Sequence, residues 1–236
     1  GQDRVAVKAS EIVTQPDLMD GFLSETLLCT LRDIFQEDFV FMPAITIRKN
    51  WYEDWHIDAA FRGDLGGTET RPDFVQCALY WQANVPGQGG GLSVIPGTHR
   101  RVPQDGRYLL DTKFFNFSTF VEDVANAAGD YVVWDGRLVH RSTAPGPDAP
   151  VRLAMFMTVA RGSANYRRFI AHLDRRATDD RQVGWVAEAD RFRDAASLNL
   201  TDKIPVETAA RMSRHGATFA EHLEHVRPNR VRILRR

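Results

Sequence analysis

The sequence predicts a mainly β fold, an antiparallel sandwich or barrel with flanking α-helices. Between residues 39 and 161, apolar runs rich in bulky and β-branched residues recur: FVFMPAITI, VQCALYWQA, GLSVI, DYVVWD and VRLAMFMTVA. Gly/Pro-rich turns such as VPGQGGG, PGTH and APGPDAP separate them. A length of 236 residues and a mass of 26.7 kDa suit one domain. We therefore expect a single domain over 1–236, with a barrel core at about 39–161 and a helical C-terminal extension at about 162–236.

Each element has its own warrant. Residues 17–37 read as an entry helix, with Ser24 as an N-cap and Leu27, Leu28, Leu31, Ile34 and Phe35 at helical spacing. In the strand 74–83, Val75, Cys77, Leu79 and Trp81 form an apolar face that reads as core. The opposite face carries Phe74, Gln76, Ala78, Tyr80 and Gln82. It is more polar, so Gln76 and Tyr80 are candidate contacts for substrate or cosubstrate, with outward exposure as the alternative. Trp134 in DYVVWD is a candidate wall of the same pocket or a plain core tryptophan. After residue 161 the chain is rich in Arg, Asp and Ala and reads as helices on the outside of the barrel, ending in the basic tail RPNRVRILRR.

Composition narrows the function classes. Hydrophobic residues make up 43% and charged residues 26%, as in ordinary globular chains. The charge sum, 30 − 31 = −1, disfavours a global electrostatic grip on nucleic acid or anionic membrane. No apolar stretch approaches the roughly 20 residues of a membrane helix. The first residues, GQDRVAVKASEIV, lack the apolar core of a secretory signal. Cys29 and Cys77 sit in apolar runs and read as buried free thiols, which fits a cytoplasmic location.

The most informative residues begin at Trp55-His56-Ile57-Asp58. On a strand, positions 56 and 58 share a face, so an imidazole and a carboxylate could grip one metal ion. His140 follows the strand DYVVWD. Two histidines and one carboxylate leave adjacent positions open, the pattern of non-haem Fe(II) enzymes that activate O2, and zinc is the main competitor. Arg152 opens the strand VRLAMFMTVA, where Arg152, Ala154, Phe156 and Thr158 share a face. Val151, Leu153, Met155, Met157 and Val159 make the other face uniformly apolar, so Arg152 should look into the barrel. A buried guanidinium needs an anion. A ligand carboxylate and an acid from another strand are both open at this point.

Taken in order, His56-x-Asp58, GGLSVIPGTH at 90–99, GDYVVWDG at 129–136, His140 and Arg152 resemble the phytanoyl-CoA dioxygenase family, a branch of the Fe(II)- and 2-oxoglutarate-dependent oxygenases. The resemblance spans roughly 56–160. It implies a double-stranded β-helix, a jelly-roll barrel with helices on one side. It implies that His56, Asp58 and His140 bind Fe(II), and that Arg152 and Ser142 hold the distal carboxylate of 2-oxoglutarate. His99 would be structural or at the rim, and Pro96 and Gly97 would shape a turn. The implied reaction is O2-dependent hydroxylation, or another oxidation, of an unactivated C–H bond, with 2-oxoglutarate converted to succinate and CO2. Related halogenases replace the carboxylate with a small residue, so the intact Asp58 favours hydroxylation.

The loop FRGDLGGTETRP, residues 61–72, reads as a lid or an ordinary connection, and Arg62 in it as a contact for an anionic substrate or a surface residue. His215, His222 and His225 share a helical face that is a second metal site or simply solvated, and His172 has no identifiable partner. Trp51, Tyr52 and Trp55 read as core packing or as a stacking surface. The expected partner is a small-molecule metabolite, and the expected state a monomer or homodimer. The competing functional readings are a barrel that binds metal or ligand without turnover, and a zinc or manganese isomerase of cupin type.

Overall fold

The computed structural model describes residues 5–7, 9–12, 15–58, 71–100, 121–142, 151–177 and 203–219. Arg62, most of the loop 61–72, the turn APGPDAP, His222, His225 and the basic tail lie outside the described residues, as does the side chain of His172.

Two sheets form the body. The larger contains β1 (Val5–Val7), β2 (Phe39–Lys49), β8 (Leu153–Arg161), β3 (Phe74–Tyr80) and β6 (Tyr131–Asp135) in that order, with β9 (Ala217–Phe219) also on β2. The smaller has the order β5 (Glu122–Val124), β4 (Leu92–Val94), β7 (His140–Ser142). All pairings are antiparallel except β2 with β9. The larger sheet curls over the smaller as a half-barrel, the mainly β jelly-roll class expected from the strand run. Among the described residues no helix is long and apolar enough to cross a membrane.

The two faces of the larger sheet do different work. Val75, Cys77, Met155, Met157 and Val159 point outward into a buried apolar core. That core is completed by α1 (Ala9–Ile12), α2 (Pro16–Phe22) and α3 (Glu25–Phe35), through Ile12, Met19, Phe22, Leu27, Leu28, Leu31 and Phe35. The inward face packs Ala78, Tyr80, Trp134 and Ala154 against Leu92 and Val94 of the smaller sheet. The alternation read from the sequence thus separates core from cavity, with two exceptions, and Val151, which lies before the start of β8, is one of them, half-exposed rather than core. Trp81, just past the end of β3, is the other and is exposed, because alternation no longer constrains a residue outside the ladder.

Local chemistry accounts for the other departures. The single entry helix is two. Ser24 separates them, its hydroxyl accepting from the Leu27 backbone N–H as the N-cap of α3. Cys77 is buried and free as expected, but Cys29 is exposed on α3: an apolar run in a helix does not put every member on the buried stripe. The C-terminal segment has α4 (Gly162–Ala177) and α5 (Val206–Arg214), and it also adds the parallel strand β9 to β2. Gly216 makes this possible. Its φ is +66°, and a Cβ there would come within 2.2 Å of Asp38 Oδ1.

Candidate metal centre

The site is assembled by the segment that follows β2. Asn50 adopts a left-handed conformation, φ 49°, which turns the chain inward. It pairs with the start of β8: its N–H donates to Arg152 O at 2.9 Å, and the Arg152 N–H donates to Asn50 Oδ1 at 3.1 Å. Further on, the Ser142 N–H donates to Glu53 O at 3.0 Å, and the Glu53 N–H donates to Ser142 Oγ at 2.8 Å. His56 and His140 then exchange both backbone hydrogen bonds at 2.9 Å. Three steps along one chain oppose two along the other, a one-residue bulge of the kind that re-aims side chains. His56-x-Asp58 is therefore not on a regular strand as the alternation argument assumed. A single bridge at His56 fixes it.

This pairing sets the two imidazoles side by side, ring centroids 4.3 Å apart. His56 Nδ1 lies 2.6 Å from Asp54 O, and His140 Nδ1 lies 2.9 Å from Leu138 O. A carbonyl can only accept, so each Nδ1 carries a proton, and each Nε2 is the ring nitrogen turned toward the Asp58 carboxylate. Both Nε2 atoms lie 3.9 Å from the Asp58 carboxylate. One ligand atom from each of His56, Asp58 and His140 falls within a 4.8 Å cluster that could hold a metal ion. Burial holds His140 below the ordinary histidine range, outweighing the pull of Asp58 in the opposite direction, so the ring stays neutral and ready to ligate.

Surrounding residues hold this set in place. Gln76 Nε2 donates to Asp58 Oδ2 at 3.0 Å, and Gln76 Oε1 accepts from Thr158 Oγ1 at 2.9 Å. Gln76, expected as a substrate or cosubstrate contact, is thus engaged with a candidate metal ligand. Ile57, Ile95 and Val139 form a buried cluster beneath the ligands, with Trp55 packed against it. The IPGTH stretch contributes through Thr98, whose hydroxyl accepts from the Val139 N–H at 2.9 Å and so braces the residue before His140. His99 sits on the same short turn, half-buried. Trp134 is buried, its ring edge-on to His140 at 5.5 Å.

Arg152 lies farther along the same inward face. It is 4% exposed, yet among the described residues no carboxylate pairs with it. Its Nη1 donates to Trp51 O, and its Nη2 donates to the Tyr80 hydroxyl at 3.4 Å. Tyr52, Tyr80 and Phe156 present ring faces at 5.6, 5.7 and 5.5 Å. Its Nε is buried without a partner among the described residues. Ser142 is fastened to the Glu53 backbone, and no hydrogen bond joins it to Arg152. An oxygen that accepts from an N–H keeps its own proton free to donate.

The sequence reading missed Glu53. One of its oxygens accepts from Trp51 Nε1 at 2.8 Å and from Arg48 at 3.3 Å, and the other lies 3.3 Å from His56 Nε2. Burial works to raise its pKa, but Arg48, Trp51 and His56 together hold it below the usual carboxylate range. Strict alternation puts position 53 on the face opposite His56, and only the bulge reverses that. The aromatic cluster before the metal segment serves cations more than core: Arg48 stands over Trp51, Arg152 over Tyr52 and Arg141 over Trp55. His215 closes α5 and meets Glu25 at 2.6 Å. With Cys29 these two form a second ligand-type cluster, but Arg214 Nη2 already lies 3.5 Å from Glu25.

Comparison with known proteins agrees with this picture. Residues 4–146 match the family described as phytanoyl-CoA dioxygenase (PhyH). No curated protein matches the sequence. Among solved structures, EvdMO1 is 22% identical, covers 57% of this chain and 30% of its own, and gives a TM-score of 0.45. SnoN, a non-haem α-ketoglutarate-dependent epimerase from nogalamycin biosynthesis, is 14% identical with coverages of 66% and 61% and a TM-score of 0.49. HygX from Streptomyces hygroscopicus, crystallised with nickel, 2-oxoglutarate and hygromycin B, is 16% identical with coverages of 61% and 65% and a TM-score of 0.47. The present chain spans less than two thirds of the length of each. The family assignment rests on the sequence match, which covers more than half the chain: this protein belongs to the phytanoyl-CoA dioxygenase family.

Proposed function

We propose that the chain is a non-haem Fe(II)- and 2-oxoglutarate-dependent dioxygenase that hydroxylates or otherwise oxidises an unactivated C–H bond of a small-molecule metabolite. One observation carries the reading. Two imidazoles whose Nε2 atoms face a carboxylate sit at one end of the inward face, and a buried guanidinium without an acid partner among the described residues sits toward the other. The donor set fits a ferrous ion, and the orphaned guanidinium fits a dicarboxylate. Bound there, Fe(II) with 2-oxoglutarate supplies O2 activation, with succinate and CO2 as co-products.

The chain's own residues have distinct tasks in this reading. His56, Asp58 and His140 hold the metal. The Asp54 and Leu138 carbonyls fix both imidazole tautomers, and Gln76, itself held by Thr158, fixes the Asp58 carboxylate. Arg152 holds the distal carboxylate of 2-oxoglutarate, with Tyr80 shaping its pocket and Ser142 offering a further donor. The apolar packing between the sheets limits water at the reacting centre.

Anaerobic addition of Fe(II) and 2-oxoglutarate tests this. The oxygenase develops a weak visible charge-transfer band, and the His56→Ala and His140→Ala variants do not. A wild-type protein that stays colourless favours a barrel without turnover or a zinc isomerase. A panel of metabolites scored by coupled succinate release then identifies the substrate.

A further inference from the structure

Trp134 is placed differently from a tryptophan that only fills a core. It is 8% exposed, and its indole Nε1 is buried without a hydrogen-bond partner among the described residues. An indole N–H is a donor only, so it needs an acceptor, and a native interior rarely leaves such a group unmet. Trp134 lies directly across the ladder from Gln76, which holds Asp58, and its ring meets His140 edge-on at 5.5 Å. It therefore belongs to the metal end of the inward face. Tyr80, which touches Arg152, is four positions along β3 from Gln76, roughly 13 Å at strand rise.

We infer that the Trp134 indole N–H is a hydrogen-bond donor to the metal-bound carboxylate of 2-oxoglutarate, opposite in function to Arg152, which takes the distal carboxylate. The inference rests on the proposed oxygenase reading. It explains why a donor-bearing aromatic stands beside His140, where a purely apolar side chain would carry no unmet donor. The N–H makes no new bond in the free protein. It is completed only when an anion occupies the metal's open positions, so it favours the chelated cosubstrate over a neutral ligand such as water.

The test uses full-length protein loaded with diamagnetic Zn(II), labelled with 15N, and titrated with 2-oxoglutarate. The chain has five tryptophans, and the indole peak missing from Trp134→Phe identifies the residue. If that variant does not fold, single substitutions of the other tryptophans identify the peak by elimination. The expected result is a downfield move of this indole proton on adding 2-oxoglutarate and not on adding zinc alone. In Trp134→Phe the Kd for 2-oxoglutarate rises about tenfold or more while the zinc Kd is unchanged, the scale of a hydrogen bond to a charged group. A wild-type protein that binds 2-oxoglutarate while this peak stays still overturns the inference and leaves the oxygenase reading standing. Failure of the zinc-loaded wild type to bind 2-oxoglutarate at all overturns both.

Discussion

Replacing Arg152 by methionine separates a ligand-binding arginine from a structural one. The side chain is 4% exposed, with three aromatic faces within 6 Å and hydrogen bonds to Trp51 O and Tyr80 Oη, but no acid among the described residues. Desolvating the cation costs several kcal/mol. The ring contacts, at about 0.5–2 kcal/mol each, and the hydrogen bonds, at about 1.5–3 kcal/mol each, offset much of that cost. Methionine fills similar volume with no charge to desolvate. The ligand-free Arg152→Met protein should therefore stay within about 1 kcal/mol of wild type, a Tm change of roughly 2–4 °C for a chain of this size. Affinity behaves differently. Losing one side of a buried charge pair with the distal carboxylate removes about 2–5 kcal/mol, or roughly 30-fold to several thousand-fold in Kd. Calorimetric titration of 2-oxoglutarate into metal-loaded protein, paired with thermal melts of the ligand-free protein, reads both quantities. If Arg152 instead paired with a structural acid, the substitution would strand that acid and cost about 3–5 kcal/mol of stability. A large fall in Tm with cosubstrate affinity unchanged would refute the assigned role.

Three further outcomes are expected. Gln76→Leu releases the Asp58 carboxylate and should weaken metal binding about tenfold or more, with Thr158→Val giving a smaller loss in the same direction; competition with a chromogenic chelator measures both. Burial holds the His140 pKa below its ordinary value, so unfolded chains take up a proton that the native ring refuses. Stability of the metal-free protein should therefore fall as pH drops below about 6.5, and His140→Gln should remove part of that slope in urea melts at pH 5.5 and 7.5. Ser24→Ala removes the N-cap of α3 and should cost about 1 kcal/mol, seen as a lower urea midpoint with unchanged cosubstrate affinity.

The fold class was open to reading because apolar alternation is a local property. Val75, Cys77 and Leu79 against Gln76, Ala78 and Tyr80 already sorted core from cavity, and the same pattern in β8 turned Arg152 inward. The residue types of His56, Asp58 and His140 made them candidate ligands, and the family resemblance of the motifs around them joined them into one set. The break between α2 and α3 and the strand β9 were harder to see. A helix interruption depends on one capping hydroxyl, and a three-residue parallel strand forms only because β2 offers it an unpaired edge.

What the sequence determined by itself was the types of the candidate ligands and the sorting of β3 and of the inner part of β8 into a core face and a cavity face, since these follow from covalent identity and a two-residue period. What tertiary structure alone decided was how those groups meet. The bulge opposite β7 brought Glu53 to His56, the paired bridge set His56 beside His140, and Gln76 met Asp58. Those contacts join residues far apart in the chain or depend on one extra residue in a ladder, and no local pattern encodes either.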